Sequence, residues 1–78
     1  MTDEQKLQCE TDAAFLAGLG LFNIPSFRKL WLKQRSTSQK DLVIRSWAAM
    51  GDTRIRNEDE LNLTLDFLDS ILKERDAV

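Results

Sequence analysis

Histidine and tyrosine are absent from this 78-residue chain, and cysteine and proline each occur once. Without histidine the chain lacks the usual general base, the commonest metal ligand and the physiological pH switch. Cys9 has no imidazole to activate it and is flanked by Glu10 and Asp12 rather than by cations, so it reads as a small apolar residue of a helix. A zinc site needs four nitrogen or sulfur ligands, and one cysteine cannot supply them. Glu58, Asp59 and Glu60 match no calcium loop, and successive helical residues point apart. Gly18 and Gly20 follow a helical pattern rather than a strand and lack the third glycine of a nucleotide loop. The expectation is therefore a protein that is not an enzyme, with no cofactor and no metal.

Long apolar runs are also missing. The longest covers residues 13–22, well short of the ~20 residues that a membrane span needs, so no membrane partner is expected. The acidic start Met1-Thr2-Asp3-Glu4 does not resemble a secretory signal, and a cytosolic protein with a reduced thiol is the expectation. A lone cysteine forms no internal disulfide. A single domain of this size without staples must fold by packing alone, or by packing against a copy or a partner.

What the chain does have is a segregated charge. Residues 28–56 hold eight bases, namely Arg28, Lys29, Lys33, Arg35, Lys40, Arg45, Arg54 and Arg56, against Asp41 and Asp52. Residues 57–78 hold seven acids against Lys73 and Arg75, and residues 1–27 hold four acids against Lys6. The net charge is only −2, so a basic centre lies between acidic ends. Such a centre either serves an acidic partner or neutralises the molecule's own ends.

The periodicity is helical throughout, with no convincing alternation of period two. Capping boxes are expected at Thr2-x-x-Gln5, Ser36-x-x-Gln39 and Asn57-x-x-Glu60. Gly18 or Gly20 should end the first helix with a left-handed cap, Pro25 suits a first turn, and Gly51 is a stop. The sequence predicts an all-α, compact four-helix domain over residues 1–78, with helices at about 3–17, 25–34, 38–50 and 58–75 and short connections. The second helix is expected to bury Ile24, Phe27, Leu30 and Trp31, and Ile55 to anchor the connector before the fourth. The fourth carries two apolar stripes, Leu61–Leu65–Leu68–Leu72 and Leu63–Phe67–Ile71. Together they are wider than one buried face requires. Either this helix is central, or Leu63, Phe67 and Ile71 form a self-association surface, as in a homodimer.

Three readings compete for the basic segment. In the favoured one, the chain is a small regulatory or adaptor protein that binds another protein. Arginine and tryptophan dominate interface hot spots, and the expected partner-binding residues are Arg28, Lys29, Leu32, Lys33, Arg35, Arg45, Arg54 and Arg56. The alternative is a helix-turn-helix DNA-binding regulator built from the second and third helices. The apolar third helix and an isoelectric point of about 5.0 count against nucleic acid. In the third reading the bases face the acids of the first and fourth helices across the bundle.

Overall fold

In the computed structural model, which describes residues 1–34 and 37–76, four helices follow one another and no strand occurs among the described residues. They are α1 (Asp3–Ala17), α2 (Pro25–Lys33), α3 (Thr37–Ala49) and α4 (Glu58–Asp76), with a 3₁₀ turn at Gly20–Asn23. The all-α four-helix expectation holds, and each boundary falls within one residue of the predicted one.

The ends of the helices follow from local chemistry. At α1, Thr2 Oγ1 accepts from the Gln5 backbone at 3.1 Å, and Thr2 N donates back to Gln5 Oε1 at 2.7 Å, completing a capping box. The Ser36 box lies outside the described residues. At α4 only half the expected box forms. Asn57 Oδ1 accepts from Glu60 N at 2.9 Å, while the Glu60 carboxylate turns to α1 and accepts from Gln5 Nε2 at 3.2 Å. Gly51, at φ 78°, closes α3 with a left-handed turn, in which Gly51 N bonds Ala48 O and Asp52 N bonds Trp47 O. Gly18 caps α1 in a right-handed conformation (φ −81°) instead of the left-handed one expected. The chain simply tightens into the 3₁₀ turn, with Gly18 N bonding Phe15 O.

α4 touches each of the other three helices and is the centre of the molecule. α1 lies beside it in parallel. Gln5 and Cys9 of the first turns meet Glu60, and at the far end Arg75 Nη1 donates to Ala17 O. α2 runs the opposite way, pairing Arg28 with Asp76 and Trp31 with Asp69. Leu16, Phe22, Val43, Leu65, Leu68 and Leu72 form the innermost core. Phe22 meets the Trp31 ring edge-on at 5.1 Å and Phe27 at 5.5 Å. No described helix is long and apolar enough to cross a membrane.

Three apolar residues stand opposite to their expected places. α2 buries Trp31 with Phe27 and Leu32 packed at the core, while Leu30 and Ile24 are exposed. Successive helical residues differ by about 100°, so the buried sector lies on the Leu32 side of Trp31 rather than the Leu30 side. Arg28 lies within that sector, where its Nη1 reaches Phe22 O at 2.7 Å. Ile55, expected as an anchor, is fully exposed, and its neighbour Arg56 is turned inward instead.

Candidate functional site

The basic segment divides into two populations. Four of its residues are bound within the molecule. Arg28 pairs with Asp76 at 2.8 Å, Lys40 with Glu58, Arg54 with Asp52 at 3.2 Å, and Arg56 with both Asp12 and Asp52. Three of these pairings run to the acids of α1 or α4, as an internal neutralisation requires. Lys29, Lys33 and Arg45 are exposed and pair with no carboxylate among the described residues. Arg35 lies outside the described residues.

Arg56 is the most deeply withdrawn. Its side chain is 4% exposed and Asp12 is 1% exposed. Gln8 Nε2 also donates to Asp12 Oδ1 at 2.9 Å, and the guanidinium covers the buried Trp47 ring. A buried cation requires a partner for its charge and donors, and this one takes carboxylates from α1 and from the turn after α3. The network clasps the connector to the bundle, so Arg56 is not presented to a partner. Arg28 is held similarly, with its side chain 13% exposed, and Leu32 is packed at the core. Arg54 remains half exposed.

Of the three exposed cations, Arg45 lines a groove and Lys29 and Lys33 do not. α2, the 3₁₀ turn and α3 enclose a cleft of about 490 Å³. Phe27 and Trp31 form its inner wall, Leu21 and Leu30 one lip, and Leu42, Asp41 and Arg45 the other. Leu21 and Leu30 are 47% and 56% exposed. Ser38, Asp41, Leu42 and Arg45 recur at helical spacing, so one face of α3 supplies the second wall. The closed end is fixed by Gln39, which is buried and donates Nε2 to Trp31 O at 2.6 Å, tying the start of α3 to the last turn of α2. Trp31 Nε1 is in turn held by Asp69 Oδ1 at 3.0 Å.

Of the partner-binding residues named from the sequence, only Arg45 lines this groove, and Leu21 and Leu30 were missed as exposed surface. The sign that could have found Leu30 is that Leu30 and Leu32 flank Trp31 on opposite sides, so a single buried sector cannot hold both. Among the residues expected to self-associate, Leu63, Phe67 and Ile71 are half-buried, and Phe67 and Ile71 pack against the core. The outward positions of α3 are Ser38, Asp41, Ile44, Arg45, Ala48 and Ala49, which carry one cation beside one anion.

No family model, curated protein or solved structure matches this chain.

Proposed function

We propose that this chain is a non-enzymatic protein-binding module of regulatory or adaptor type, working in the cytoplasm, and that the groove between α2 and α3 is its recognition surface. One observation carries the reading. The groove leaves Leu21 of the 3₁₀ turn and Leu30 of α2 exposed, and Arg45, which has no ion pair among the described residues, stands beside Asp41 on its α3 side. An apolar cleft with an unpaired arginine at its edge suits an amphipathic helix bearing bulky apolar residues beside an acid. The mechanism is occlusion, in which the module covers a partner's apolar and acidic helix. DNA binding draws less support, because among the described residues the outward face of α3 offers one cation, Arg45, beside one anion, Asp41.

The test uses synthetic amphipathic peptides with two leucines one or two turns apart, flanked by glutamates or by lysines. A Trp47→Phe variant leaves Trp31, in the groove wall, as the single indole reporter. The glutamate peptide is expected to change Trp31 emission saturably, and Leu30→Glu or Arg45→Glu to abolish the change. Equal binding of the lysine peptide, or steep salt-dependent retention on duplex DNA with no peptide binding, would overturn the reading.

A further inference from the structure

α1 exposes a second apolar surface, and acids flank it. Leu7 is 63% exposed and Phe15 45% exposed. Leu7, Thr11 and Phe15 follow one another at intervals of four residues, with Ala14 between them, so they share one outward face. All four are exposed. Glu4 and Glu10 lie one turn before and one turn after Leu7, and both are exposed with no ion pair among the described residues. Thr11 and Ala14 are small enough to let another helix approach closely.

This face has the chemistry that the groove calls for. It offers two bulky apolar side chains about 12 Å apart along the axis, at 1.5 Å per residue. α2, which forms one wall of the groove, is about 13 Å long by the same measure. Acids flank the α1 face, and Arg45 lines the groove next to Asp41. We infer that the groove between α2 and α3 accepts α1 of a second copy of this chain, seating Leu7 and Phe15 against Leu21 and Leu30 with Glu10 facing Arg45. The inference rests on the groove being a binding surface, as proposed above, and adds its occupant. The Leu63–Phe67–Ile71 stripe is half-buried, with Phe67 and Ile71 packed against the core.

Two different surfaces meet in this contact, so it is heterologous. Each added copy leaves one α1 face and one groove free, and assembly extends until a ring closes or the chain runs out of copies. A partner helix of the same chemistry competes for the groove and shortens the assembly. Because charges of opposite sign face each other at exposed positions, raising the salt weakens it.

The deciding experiment is complementation between two monomeric variants, followed by light scattering or sedimentation on the full chain. Wild type is expected to gain mass as its concentration rises into the high micromolar range, and to lose that gain at high salt. Leu7→Glu and Leu30→Glu, each at an exposed position, are expected to be monomers with unchanged helical circular dichroism. Mixed in equal amounts they are expected to form a two-chain species that grows no further, since one supplies an intact α1 and the other an intact groove. Glu10→Lys and Arg45→Glu provide a second pair with the same expected behaviour. A wild-type chain that stays monomeric, or variants that do not pair when mixed, would sink the inference. If the acidic peptide still binds in either case, the groove remains a binding surface and only its occupant has been misassigned. Loss of assembly in Phe67→Ala, with Leu7→Glu and Leu30→Glu unaffected, would also overturn it.

Discussion

The guanidinium carbon of Arg56 lies 3.8 Å from the centroid of the Trp47 ring, with Asp12 and Asp52 engaging its nitrogens. Trp47 is buried, and its Nε1 has no hydrogen-bond partner among the described residues. The arginine therefore covers an aromatic face while its charge is met by α1 and by the turn that ends α3. Few side chains other than arginine can stack and pair in this way at once.

Arg56→Met is expected to lower stability by about 3–5 kcal/mol, the usual cost of leaving a buried charge, here Asp12, without its partner. Urea denaturation followed by circular dichroism measures it. Asp12→Asn combined with Arg56→Met is expected to recover part of the loss, because the orphaned charge is gone. Strict additivity of the two substitutions would contradict the coupling.

Gly51→Ala is expected to destabilise by about 1–2 kcal/mol, the cost of placing an L side chain in the left-handed region. A Cβ there would meet nothing within 4 Å, so the penalty lies in the backbone alone. For a domain of this size the midpoint of thermal unfolding should fall by about 4–8 °C per kcal/mol. Gly18→Ala has no left-handed penalty, and its new Cβ would lie 3.3 Å from Phe15 O, so it should cost less.

Reversing charge at two arginines separates internal from external roles. Arg28→Glu breaks charged hydrogen bonds to Asp76 and Phe22 O and is expected to lower stability by about 1.5–3 kcal/mol. Arg45→Glu, on an exposed residue without an ion pair, should stay within about 0.5 kcal/mol of wild type. Denaturant midpoints compared at one salt concentration distinguish them. A larger loss at Arg45 than at Arg28 would reverse the assignment.

Ile55→Asp is expected to leave stability within about 0.5 kcal/mol of wild type, because its side chain is fully exposed. Had the connector been anchored by Ile55, the same change would bury a charge and cost several kcal/mol. Thermal unfolding of the single variant decides between the two.

The helices and their limits were legible in the sequence because their causes are local. Thr2 with Gln5, Pro25 and Gly51 each act within a few residues of themselves. The central place of α4 was legible from the width of its apolar face. The fate of the basic residues was not. Arg56 finds Asp12 across 44 residues of chain, Arg28 finds Asp76 across 48, and no spacing rule connects them. The same holds for α2. Phe27 and Trp31 fix a direction toward the core, but whether Leu30 or Leu32 completes the buried sector depends on how α2 is rolled against α4. That roll is set by long-range pairs, Trp31 with Asp69 and Arg28 with Asp76. The groove was hidden for the same reason, since it exists only because Leu30 faces outward.

The parallel pairing of α1 with α4 makes this a late-closing fold. α1 leaves the ribosome before α4 and packs mainly on it, so Leu16 and Ala13 have no permanent cover until α4 has been made. A nascent chain ending before Glu58 would carry α1 with its inner apolar side open as well as its outer one. α4 must be made before the domain can protect itself, and a product stalled or truncated ahead of it would be a ready target for chaperones and proteases.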